Sequence, residues 1–222
     1  MDNDWYDHER DDHRDRREWL SGKPSKPYSD RLPEPDPSLW KDFDRYLSLR
    51  NLSPGIARAN LWYPSRSAGD DAPRIVIPAT SSNSGNKFWQ ARLMATEGIS
   101  SLVRYQSPHG CRSGDAVIMV YPSLGPDRPL HTVLASVVVE GPMDALAAAG
   151  EGYWAVALMG ATPPPERIDL TATLVRGTIC TICGDADAPG AAAPVFGVLA
   201  NLGLQCRLIV DYEGYKDLAE CP

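Results

Sequence analysis

From residue 137 onward, short apolar and β-branched runs alternate with helix-forming stretches, and this rhythm constrains the fold more than any other feature. The runs 137–140, 154–159, 178–183 and 206–210 read as buried strands, and 143–149, 167–175 and 191–202 read as the helices between them. Parallel strands cannot be joined by a tight turn, so this repetition implies a parallel sheet covered by helices. Its reactive edge lies at the carboxyl ends of the strands. There the acids collect. Glu140 ends the first strand, Asp144 sits one turn into the next helix, Asp185 and Asp187 follow the third strand, and Asp217 follows the fourth. Residues two apart in extended chain face the same way, so Asp185 and Asp187 are placed to serve one ion cluster. Clustered carboxylates repel unless a cation neutralises them, and an all-oxygen set without His or Cys selects Mg²⁺ or Mn²⁺. Gly141, Gly160 and Gly190 stand at strand-to-helix turns, where they permit close approach of backbone to a phosphate.

Upstream the pattern differs. Leu39, Trp40, Phe43, Tyr46 and Leu47 share one helical face, and Ser53-Pro54 reads as the N-cap and first residue of a second short helix. The strand 74–79, a turn over 81–86 and a strand from Lys87 to Met94 read as a hairpin; short strands near 102–106 and 116–121 complete a small α+β lobe. Three segments follow: a charged, Pro-rich tail and linker (1–38), this lobe (39–131), and the α/β domain (132–222). The formal charge of −7 conceals segregation along the chain. Residues 39–131 hold 11 basic and 7 acidic side chains, whereas 132–222 hold 4 basic and 11 acidic. A basic lobe beside an acidic edge suits a protein that draws a polyanion towards carboxylate-held metal.

The five cysteines form no disulfide framework in a chain this long, and no Cys/His grouping has the spacing of a structural zinc site. Cys180 and Cys183 lie three apart in a strand, so they face opposite sides and read as core. No apolar run approaches the roughly 18 residues of a membrane span, and the N-terminus is polar. The expectation is a soluble, cytoplasmic protein without a membrane partner.

The same residues carry a resemblance. Val137-Val-Val-Glu140-Gly-Pro-Met-Asp144, Leu158-Met-Gly160-Ala-Thr162, Asp185-Ala-Asp187-Ala-Pro-Gly190 and Lys216-Asp217 resemble, in order and spacing, the motifs of a Toprim domain. The form Glu-Gly-x-Met-Asp is similar to that of bacterial-type (DnaG-like) primases. Upstream, Tyr46-Leu-Ser-Leu-Arg-Asn-Leu-Ser-Pro54, Arg74-Ile-Val-Ile-Pro78, Trp89-Gln-Ala-Arg92 and Arg104-Tyr-Gln-Ser-Pro108 resemble the N-terminal subdomain of the primase RNA-polymerase core. The resemblance covers about residues 39–220. It implies an α/β fold with a Toprim domain preceded by a basic α+β lobe. It also implies that Glu140, Asp185 and Asp187 bind catalytic Mg²⁺ or Mn²⁺, with Asp144 and Asp217 completing the acidic cluster. Arg74, Arg92, Arg104 and Lys216 would meet nucleotide and template, Arg104 standing where the family usually has Lys.

The function so implied is a DNA-dependent primase core that joins ribonucleoside triphosphates on single-stranded DNA. It would be a short phage or mobile-element version, completed by a separate zinc-domain or helicase chain. Two rivals stand beside it: a Toprim nuclease using the same metals, and a non-catalytic Toprim protein binding DNA or a replication partner. Trp89 and Tyr105, lying among basic residues, read as core aromatics or as platforms for base stacking.

Overall fold

The computed structural model describes residues 31–81, 88–95, 103–108, 114, 116–122, 135–186, 189–211, 215 and 218–220. Two sheets organise them. The first is antiparallel, β1 (Tyr63–Ser65), β2 (Arg74–Ala79), β3 (Phe88–Leu93) and β4 (Tyr105–Gln106), in spatial order 1-2-3-4. β2 and β3 form the expected hairpin, with Arg74 opposite Leu93 and Ala79 opposite Phe88. Of the turn expected over 81–86, residues 82–86 lie outside the described residues.

Before this sheet come α1 (Trp40–Ser48) and α2 (Pro54–Ala59). The α1 face built from Phe43, Tyr46 and Leu47 is buried as its periodicity predicts. Ser53 caps α2: its Oγ accepts the Ile56 N–H at 3.3 Å, and Pro54 occupies the first turn, where no N–H is missed.

The second sheet holds β5 (Ile118–Val120), β6 (Ala135–Val139), β7 (Trp154–Ala157), β8 (Ile179–Cys183) and β9 (Cys206–Ile209), in spatial order 5-7-6-8-9. β6 to β9 are parallel, as the strand–helix rhythm requires, and only β5 runs antiparallel. β5 was expected in the first lobe. Instead it pairs with β7 as an edge of the larger sheet, while a bridge between Thr80 and Val117 ties it to the end of β2.

Three helices make the crossovers: α3 (Pro142–Gly150), α4 (Pro165–Leu174) and α5 (Pro189–Asn201). α3 packs on one face with Val137, Val139 and Ala157; α4 and α5 cover the other with Val138, Val156 and Ile182. The α3 face is also where the two sheets share a core. Phe43, Leu47, Ile75 and Ile77 from the first part join Met143 and Leu146 of α3 in one buried cluster. Cys180 and Cys183 fall in opposite clusters, as their spacing predicts. No helix among the described residues is long and apolar enough to cross a membrane.

Candidate functional site

The order 7-6-8 carries the site. The chain leaves β6 through α3 on one face and leaves β8 through α5 on the other. Helices departing to opposite faces from neighbouring parallel strands open a crevice at their carboxyl ends, the switch point at which such sheets bind ligands. A cleft occupies this position, lined by Glu140, Gly160, Ala161, Gly184, Ala192 and Val195. Glu140 directly follows β6, and Asp185 lies two residues beyond β8. Val139 is in register with Cys183, so the two acids leave strands spaced about 4.8 Å apart.

Backbone geometry keeps this edge open. After β7 the chain turns through Met159 at φ 56° and Gly160 at φ 138°, and the Gly160 N–H reaches the Glu140 carbonyl at 3.4 Å. A left-handed Met is a local strain of the sort that persists where surrounding structure holds it. Gly184, absent from the sequence reading, matters more. A Cβ there would lie 2.5 Å from the Ala192 Cβ, so the absence of a side chain lets α5 sit against the end of β8. Gly184→Ala is expected to cost about 1–3 kcal/mol in a urea or thermal melt and to displace the adjoining Asp185.

Asp144 is buried at 8% exposure, and its Oδ1 accepts the Ala219 N–H at 3.0 Å. This carboxylate therefore ties α3 to the 3₁₀ turn at Leu218–Glu220 as well as bordering the acidic edge. Its Oδ2 lies 2.9 Å from where a Cβ on Gly141 would stand, so Gly141 clears room for it. Asp187, Asp217 and Lys216 lie outside the described residues. Among those described, no group of three or more His, Cys, Asp or Glu side chains converges on one ion position. The donor chemistry still fits Mg²⁺, which keeps most of its waters and takes one or two protein carboxylates beside substrate phosphates. Glu140 and Asp185 are such a pair.

The basic residues divide. Arg74 departs from the expectation: its side chain is wholly buried, bound to both Asp70 oxygens at 2.9 and 2.6 Å and to the carbonyls of Ala91 and Val103. That geometry makes it a structural ion pair with no surface to offer a nucleotide. Arg92, 9% exposed, donates from Nε to the Tyr46 hydroxyl at 3.0 Å and lies 4.9 Å from the Tyr105 ring centroid. Arg104 is exposed beside β4. Burial pushes the Tyr105 hydroxyl up to about 12; Arg92 opposes this, while Asp144 and Tyr46 add to it. Trp89 is core, packed with Ala68, Val76 and Ala91. The sequence reading also passed over Arg167, a guanidinium 4% exposed whose Nη1 donates to the Leu158 carbonyl at 2.5 Å, beside the end of β7. An Arg in the first turn of a helix ordinarily reads as solvated, so no pattern announces it.

Residues 137–221 match the Toprim-like family. The C-terminal part of the chain is a Toprim-like domain. Beyond it, both sheets together have the fold of DnaG-type primase RNA polymerase domains. The RNA polymerase domain of Mycobacterium tuberculosis primase DnaG aligns with a TM-score of 0.56 at 17% identity, over 81% of this chain and 71% of that one. The primase fragment of the bacteriophage T7 primase-helicase aligns at 0.54 and 16%, over 91% and 78%. A DnaG primase catalytic domain bound to single-stranded DNA aligns at 0.53 and 18%, over 79% and 65%. No curated protein sequence matches the chain. The Toprim-like domain is thus seated in a primase-type architecture, with the first sheet joined to it through one core.

Proposed function

We propose that this chain is the polymerase core of a DNA-dependent primase, joining ribonucleoside triphosphates on a single-stranded DNA template. The reading rests on Glu140 lining the switch-point crevice of a Toprim-like sheet, with Asp185 two residues beyond the end of the neighbouring strand. Similarity in fold to primase catalytic domains supports it. Glu140 and Asp185, with Asp187 and Asp217 completing the set, are the residues that would hold divalent metal. Mg²⁺ or Mn²⁺ bound there would supply charge for the developing triphosphate leaving group and orientation for the attacking 3′-hydroxyl.

The chain's own residues supply position. Glu140 and Asp185 present oxygens from two rigid strand ends. Asp144 is spent partly on holding the Leu218–Glu220 turn against α3. Arg92, Arg104 and Lys216 would meet the triphosphate and the template backbone. Such contacts release counterions, so template affinity should fall steeply with salt.

The test incubates the chain with single-stranded DNA, labelled ribonucleotides and Mg²⁺ or Mn²⁺. Short labelled products that need both template and metal are expected. Cleavage of labelled DNA without added nucleotides would replace this reading with a nuclease, and binding with neither reaction would leave a non-catalytic Toprim protein.

A further inference from the structure

Two buried arginines occupy facing strands of the first sheet, and they are partnered in opposite ways. A buried guanidinium is costly unless its charge and donors are met. For Arg74 the cost is met by the Asp70 carboxylate, which cancels its charge. Arg92 has no such partner: among the described residues, no carboxylate lies within ion-pair distance of it. It is held by two phenols instead. Tyr46 comes from α1 and accepts from Nε at 3.0 Å; Tyr105, in register with Arg92 on the neighbouring strand, offers its ring face at 4.9 Å. Neutral phenols fix a guanidinium without neutralising it. A charge that is positioned but not cancelled is what an anion site requires.

We propose that Tyr46 is a positioning residue: its hydroxyl holds Arg92 against Tyr105 so that the terminal nitrogens of the guanidinium meet an incoming phosphate oxyanion. This rests on the reading of the chain as a nucleotide polymerase. Tyr46 takes Nε and Tyr105 accepts a further hydrogen bond, so the guanidinium donors that remain are aimed in a fixed direction, which a freely rotating side chain would offer only part of the time. Tyr46 also lies in the helix that opens the first part of the fold, 46 residues from Arg92. The nucleotide-binding geometry of β3 therefore depends on the docking of α1.

The probe is a fluorescent ATP analogue with Mg²⁺, its binding followed by anisotropy beside thermal melts and steady-state synthesis. Tyr46→Phe keeps the ring and removes only the hydroxyl. The expected result is roughly tenfold weaker binding and a matching rise in KM for ribonucleotide, with kcat retained at saturation. Arg92→Lys keeps the charge but lacks the fork, and should show the same loss. A Tyr46→Phe protein that binds the analogue as tightly as wild type overturns the proposal. If that variant melts far below wild type, Arg92→Lys decides, and undiminished binding by it overturns the proposal equally. Wild-type protein that binds the analogue in a Tyr46-dependent way yet makes no product keeps the positioning role and rejects the polymerase reading. Wild-type protein that does not bind it overturns both.

Discussion

Glu140→Gln is expected to reduce nucleotide incorporation by about 10²–10⁴-fold while leaving the fold intact. The substitution keeps the shape of the side chain and removes one carboxylate charge from the crevice between β6 and β8, where the proposed metal would sit. Stabilisation of developing charge by metal is worth several kcal/mol, and each 1.4 kcal/mol is a factor of ten in rate. Glu140 is half-buried at a strand end, outside the core clusters, so far-UV circular dichroism and the melting temperature should change little. Asp185→Asn should behave alike. In the proposed reading both acids hold one metal site, so the double variant should be little worse than either single one. Multiplicative losses would mean that the two act separately, against the proposed shared metal site. Initial rates at saturating Mg²⁺ and at raised Mn²⁺ check this.

The second large effect is on stability. Asp70→Ala should cost about 3–5 kcal/mol, because it strands the fully buried Arg74 without a counter-charge. Asp70 also accepts from Gln106 Nε2 at 3.0 Å and from the Ala72 N–H at 3.3 Å, so the loss spreads to β4 and the bend before β2. Restoring balance should recover much of it: Asp70→Ala with Arg74→Met removes the orphaned charge and is expected to be more stable than Asp70→Ala alone. The pH dependence has a definite sign. The hydrogen bonds from Arg74 hold the Asp70 carboxyl below its ordinary value against the opposing effect of burial. Its contribution is therefore complete above the unfolded carboxylate range, near pH 4, and is lost as pH falls below it. Urea midpoints from pH 7 to pH 3 should show this extra acid sensitivity in wild type and not in Asp70→Ala. A loss under about 1 kcal/mol in Asp70→Ala would contradict the ion-pair account.

What was legible in the sequence was local or periodic. The β6–β9 rhythm, the Ser53 cap and the buried face of α1 each follow from short-range chemistry, and all appear as expected. The placement of Glu140 and Asp185 at strand ends follows from the same rhythm. What escaped depends on contacts distant in the chain. β1 is a three-residue strand containing Pro64, tolerated because β1 is an edge; it carries no run long enough to recognise. β5 reads as one more strand of the first lobe, and only its pairing with β7 assigns it to the second sheet. Arg74 opens an apolar run, where a basic residue ordinarily reads as solvated. Its burial is decided by Asp70 across a bend and by carbonyls 17 and 29 residues away. Tyr46 reads simply as part of an apolar stripe, since nothing local announces a hydroxyl that meets Arg92.

The central claim is that this chain adds ribonucleotides as a template directs, and extension of a primer already annealed tests it most directly. A short ribonucleotide primer on single-stranded DNA removes the need to find a start site. Ahead of it, a run of thymines should admit labelled ATP alone, and a run of cytosines labelled GTP alone. Both products should require Mg²⁺ or Mn²⁺ and vanish with Glu140→Gln. Labelled products formed without regard to the template, or a template cut with the primer left unextended, would contradict the account.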